Sequence, residues 1–105
     1  METKELGIIT VDKMMKQKIK CHKFYCTDIQ RTLMIHEDIE NKNYTSVSDD
    51  KTGFRLFSIP QKLSLVKENQ ISERLAQFIK HFELPAIAEE FKRIENLPQP
   101  ERKKK

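Results

Sequence analysis

The sequence predicts a small α+β domain, and three observations predict it. Residues 44–48 and 54–59 are two short runs rich in β-branched and aromatic side chains, separated by Asp49-Asp50-Lys51-Thr52-Gly53. Further on, Ile71, Leu75, Phe78, Ile79 and Phe82 recur at helical spacing. A second apolar stripe, Ile87, Phe91 and Ile94, follows Pro85. Strands followed by helices is an α+β order, unlike the alternation of a βαβ chain. The expected frame is one domain with a β-hairpin over about 44–59 and a C-terminal helical pair over about 66–82 and 85–96.

Local chemistry supports each of these elements. Asp side chains start turns by bonding backbone N–H groups ahead of them, and Gly53 can take the positive φ of a bulged hairpin loop. Pro60 lacks the N–H a ladder needs and ends the second strand. The first helix is expected to start between Ser64 and Gln70 and to end near His81, whose protonated ring would suit a C-terminus. Pro85 fits the first turn of the second helix, where its missing N–H costs nothing. Pro98 and Pro100 stop that helix and leave 98–105 as a basic tail.

The N-terminal third is ambiguous. Residues 1–9 show no clear period and read as a loose lead-in to a domain over 10–97. Thr10 can cap a helix that begins at Val11, with Val11, Met14, Met15 and Ile19 along one face. From Lys18 the pattern changes toward alternation, so 18–26 fits a strand as well as a continued helix. Thr27-Asp28-Ile29-Gln30 has the form of a capping box. A helix from Asp28 would align Ile29, Leu33 and His36, yet the consecutive Leu33-Met34-Ile35 also fits a strand.

Size and composition bound the function. A chain of 105 residues holds one domain, and 37% hydrophobic against 34% charged residues allows one small core. Two glycines leave no phosphate-cradling loop, and no cofactor motif is present. The histidines His22, His36 and His81 stand in no nucleophile–base spacing, so a non-enzymatic protein is expected. No apolar run approaches the roughly 18 residues of a membrane span, and the first residues carry no leader pattern. An intracellular setting, cytoplasmic or nuclear, is expected, without membrane partners. Two cysteines do not make the disulfide framework of a secreted domain.

The net charge of +4 is unevenly spread. Residues 13–23 carry five lysines, Lys13, Lys16, Lys18, Lys20 and Lys23, and no acid, and Phe24 and Tyr25 follow. Lysines neutralise phosphates and aromatics stack on bases, which is the chemistry of sequence-tolerant nucleic-acid binding. Without arginine this stretch offers no bidentate reading of guanine. A solvated lysine face with Phe24 or Tyr25 in the core explains the same residues. Arg102, Lys103, Lys104 and Lys105 form a second basic group, with a solubilising end as its plain explanation. Residues 28–50 hold six acids against two bases, a net of −4, which suits a basic protein face or a solvated loop and turn.

Cys21, His22, Cys26 and His36 are metal-ligating types, but four intervening residues and no glycine between the cysteines make a poor knuckle, so no metal is expected. The helical pair invites a helix-turn-helix reading, which Glu89 and Glu90 in the early turns of the second helix oppose. The leading expectation is an interaction module that associates with nucleic acid, or with a nucleic-acid-binding protein, through its lysine-rich segments. The alternative is a protein-binding adaptor or inhibitor, or a homodimer, that uses the acidic loop and exposed positions Ile87, Phe91 and Ile94.

Overall fold

The computed structural model describes residues 2–11 and 15–96. Five strands run as an antiparallel meander in the order β1-β2-β3-β4-β5. They are β1 (Glu5–Thr10), β2 (Lys16–Cys26), β3 (Arg31–Glu37), β4 (Thr45–Asp49) and β5 (Arg55–Ile59). A short 3-10 turn, Leu63–Leu65, leads into α1 (Glu68–Phe82) and then α2 (Leu84–Glu95). The chain is thus a small α+β domain.

The hairpin of β4 and β5 lies where the turn chemistry places it. Gly53 adopts φ +79. A Cβ there would also meet the Ile8 carbonyl and Thr10 Oγ1 at 2.9 Å, so both conformation and space require glycine. The register shifts between Val47 and Ser48, an irregularity that bends the edge of the sheet. The helical pair follows expectation too, with Pro85 in the first turn of α2. Glu83, at φ +64, breaks the chain between the helices.

The N-terminal third differs from the sequence reading. Residues read as a loose lead-in contain β1, and residues read as a helix from Val11 enter β2 at Lys16. Positions 12–14, including Lys13 and Met14, lie outside the described residues. The alternation of β1 is hard to see because Leu6 and Ile8 are apolar on its exposed side, while its inner side begins with Gly7. A Cβ on Gly7 would lie 2.3 Å from Met34 Sδ and 2.9 Å from Cys21 Sγ. The sulfur atoms fill the space that a strand side chain normally takes. The capping-box residues Thr27 to Gln30 form the β2–β3 turn, which Gln30 closes at φ 54. Tertiary pairing overrides local helix capping here.

β2 serves two partners in turn. Its first part pairs with β1 and its second with β3. Beyond that change the N-terminal hairpin folds over the face of the sheet away from the helices. Its far end meets the β4–β5 turn, where the Thr10 N–H donates to the Gly53 carbonyl at 2.7 Å. Two apolar clusters result. Leu33, Ile35, Val47, Ile59, Ile71 and Leu75 join sheet to α1, while Ile9, Cys21 and Met34 fill the other side. β3 is therefore covered on both faces, which explains its unbroken Leu33-Met34-Ile35 run.

Candidate nucleic-acid interface

Strand parity decides where the lysines point. Successive side chains of a strand alternate between faces. Lys16, Lys18 and Lys20 therefore share one face of the N-terminal hairpin, and Lys23 takes the other. In register, Lys20 stands opposite Leu6, Lys18 opposite Ile8, and Lys16 opposite Thr10. This face is open to solvent: Leu6 is 65% and Ile8 45% exposed. Lys18 and Lys20 are exposed and make no ion pair among the described residues. The site is a row of cations about 6.7 Å apart beside a row of apolar side chains about 5 Å away.

One end of the row is anchored. The Thr52 carbonyl accepts from Thr10 Oγ1 at 3.0 Å and from Lys16 Nζ at 3.4 Å. These bonds tie the hairpin tip to the β4–β5 turn and hold Lys16 in place. At the other end, Lys20 borders a cleft that Glu37 and Asp38 also line.

The other residues expected in this site separate. Lys23 pairs with Asp50 at 3.3 Å on the opposite face. Phe24 is partly buried against the helix-side core. Tyr25 is 59% exposed but points to the side opposite the lysine row. The expected joint face of the lysines with Phe24 and Tyr25 does not form. The basic group Arg102 to Lys105 lies outside the described residues. Leu6 and Ile8, which complete the face, escaped the sequence reading because they sat in the supposed lead-in. Had β1 been recognised, their alternation with Gly7 and Ile9 would have placed them there.

Cys21 and Cys26 belong to different core clusters, five positions apart along one strand, and so face opposite ways. Burial pushes the Cys21 thiol up, which favours the protonated form over the thiolate a metal needs. Among the described residues, no three His, Cys, Asp or Glu side chains gather as a metal site. No helix among them is long and apolar enough to cross a membrane.

A second region has the residue types of chemistry. His36 Nε2 lies 2.7 Å from Ser48 Oγ, and His36 Nδ1 lies 2.9 Å from the Glu37 carbonyl. A carbonyl only accepts, so Nδ1 carries the proton and Ser48 donates to Nε2. Nearby, Asp38 accepts from Ser46 Oγ at 2.7 Å and from Arg55 Nη1 at 3.1 Å. His36, Asp38, Ser48 and Arg55 border a cleft of about 450 Å³ under the tip of β1. A serine beside a neutral imidazole resembles an activated nucleophile, but Ser48 is only 1% and His36 3% exposed. The ring is spent on the Ser48 hydroxyl and the Glu37 carbonyl. The network satisfies buried polar groups and holds β3 and β4 together.

Burial lowers the His36 pKa against the opposing pull of the Glu37 carbonyl and Asp38. The unfolded chain therefore binds a proton that the folded chain resists. Stability from neutral His36 is complete above the ordinary value of 6.5 and declines as pH falls below it. The slope has a limit of about 1.4 kcal/mol per pH unit for one proton. Thermal melts across pH 7.5 to 5, read against the same series for His36→Gln, check this: the variant is expected to start less stable and to lose the slope. Asp38 acts in a lower window. Its burial raises the pKa, but bonds from Ser46, Glu40 and Asn41, and the charge of Arg55, outweigh burial and leave it lowered. Its contribution is present above 3.8 and is lost as pH falls through the lowered folded value.

The helix side carries an apolar groove of about 500 Å³. Leu56 of β5 and Phe78 and Phe82 of α1 wall it, with Ile87, Phe91 and Ile94 beneath. Those last three were expected to be exposed for a partner. They are instead 4%, 6% and 9% exposed, because the inner face of α2 is used up within this chain. Phe82 at 50% and Leu84 at 46% are the exposed apolar side chains near the groove.

Comparison with known proteins gives no relative: no family model matches the chain, and neither the curated proteins nor the solved structures yield a significant match.

Proposed function

We propose that this protein is a non-enzymatic interaction module that associates with nucleic acid through the lysine row of its N-terminal hairpin. One observation carries the reading: Lys16, Lys18 and Lys20 stand in line on one face of the hairpin, Lys18 and Lys20 open to solvent, with no acid in the row. Regular cations on a rigid strand match a polyanion with regular charges, and each phosphate neutralised releases counterions. The lack of arginine and of side-chain amides on this face argues for backbone attraction without base-specific reading. Fluorescence anisotropy with labelled DNA and RNA over a salt series tests it. Affinity is expected to fall linearly on logarithmic axes as salt rises. A flat response, or no binding at low salt, defeats the reading.

A second reading rests on the groove. Phe82 and Leu84 project beside an apolar channel in the same molecule, so a two-fold related copy could place its own Phe82 and Leu84 in that channel. This is the homodimer form of the protein-binding alternative. Light scattering on wild type and on Leu84→Asp distinguishes it: a dimer that the substitution dissociates supports the reading, and a wild-type monomer at high concentration removes it.

A further inference from the structure

We infer that the preferred ligand of the hairpin is a single strand, with its phosphates over Lys16, Lys18 and Lys20 and its bases over Leu6 and Ile8; this deepens the nucleic-acid reading above and rests on it. The argument comes from the two rows. A single strand is lopsided: its charged backbone runs along one side and its apolar base faces lie on the other, one sugar away. The hairpin face is lopsided in the same sense. Cations line β2, apolar side chains line β1, and each lysine on the open part has an apolar residue directly across from it.

A duplex fits this face poorly. Its bases are paired inward, and its outer surface offers sugars and phosphates to both rows. The major groove of B-DNA admits a β-ribbon, but a ribbon there must offer donors and acceptors to base edges. The β1 row offers Leu6, Ile8 and the hydroxyl of Thr10, which the Thr52 carbonyl already engages. In duplex RNA the corresponding groove is too deep and narrow for side chains. A single strand leaves its bases free to cover Leu6 and Ile8, which are otherwise in water. The lysine step, about 6.7 Å, is on the scale of the distance between successive phosphates along a strand, so neighbouring lysines can meet neighbouring phosphates.

The face holds no aromatic ring, so base contact here is apolar covering without stacking. Covering roughly 60 Å² of Leu6 and Ile8 corresponds to about a tenfold gain in affinity. The contact is indifferent to base identity, since every base has an apolar face.

The experiment uses the whole protein and three labelled probes of equal length: a thymidine strand, the same sugar–phosphate chain without bases, and a duplex. Each is titrated against wild type, Leu6→Ser/Ile8→Ser and Lys16→Gln/Lys18→Gln/Lys20→Gln, with circular dichroism melts as a check that the substitutions leave the fold intact, Lys16 included, whose bond to the Thr52 carbonyl is lost. The inference expects the strand to bind about tenfold more tightly than the chain without bases, and more tightly than the duplex. It expects the Leu6/Ile8 variant to lose that preference and keep its salt slope. A duplex bound as well as the strand, with a salt slope that the lysine variant reduces, overturns the single-strand inference and leaves the lysine row standing. Equal binding of the strand with and without bases overturns it in the same way. Binding that neither salt nor the lysine variant affects overturns the inference together with the reading beneath it.

Discussion

Replacing Asp49 by Ala is expected to cost about 3–5 kcal/mol of folding stability, the range for breaking a buried charge pair from one side. The Asp49 carboxylate is fully buried and serves three groups. Arg31 Nε donates to it at 2.7 Å and Arg31 Nη2 at 2.9 Å, in a bidentate pair. Thr52 donates its N–H at 2.9 Å and its Oγ1 at 2.7 Å. The pair therefore joins the start of β3 to the end of β4 and sets the turn into which the hairpin tip docks. Arg31 has further contacts. Its guanidinium lies 4.1 Å from the centre of the Phe91 ring, and Nη2 reaches Glu95 at 2.7 Å. Removing the carboxylate leaves a cation held between sheet and α2 with only Glu95 to answer it.

Magnitude separates this from an ordinary surface pair. Ion pairs between exposed side chains contribute about 0–1 kcal/mol as a class. A domain of this size has about 5–15 kcal/mol in all, so loss of Asp49 removes a large part of it. Denaturant unfolding of Asp49→Ala, Arg31→Met and the double variant checks the claim. The double variant is expected to be more stable than Asp49→Ala alone, because it removes the stranded cation as well. A loss below about 1 kcal/mol for Asp49→Ala would show the pair to be no more than a surface contact.

The same residues show what the sequence could and could not reveal. Asp49 was legible as a turn former, because the stretch to Gly53 has the residue types of a turn. Its pairing with Arg31 was not, because eighteen positions separate the two and nothing local marks either. The helices were legible because each packs one face only, and one-sided burial leaves a periodic stripe. β3 was ambiguous because both its faces are covered, and two-sided burial erases periodicity. β1 was missed for the opposite reason: Leu6 and Ile8 are apolar but exposed, and Gly7 is buried but bears no side chain. Within the candidate site, the lysines were legible from composition. Their division into a row of three and an isolated Lys23 needed strand parity, which an unresolved choice between helix and strand withholds.

That division leads to the other large expected effect. The triple variant Lys16→Gln/Lys18→Gln/Lys20→Gln is expected to lose about a hundredfold in affinity for a single strand at 0.1 M salt. Each neutralised phosphate of a single strand contributes about 0.7 to the logarithmic salt slope. At 0.1 M that is about 0.7 logarithmic units of affinity per lysine, so three together give about two. The slope itself should flatten by about two, which separates lost phosphate contacts from a damaged fold. Lys23→Gln is the internal control. Lys23 carries the same charge on the same strand, but it faces away from the row and is paired with Asp50. If attraction depended only on net charge, Lys23→Gln would cost a third of what the triple variant costs. If the row is the site, it leaves the slope nearly unchanged. Equal losses per lysine at all four positions would assign binding to overall charge and remove the special role of the hairpin face. A selective loss at Lys16, Lys18 and Lys20 would show that what matters is not how many lysines the strand carries but which of them its pleat turns the same way.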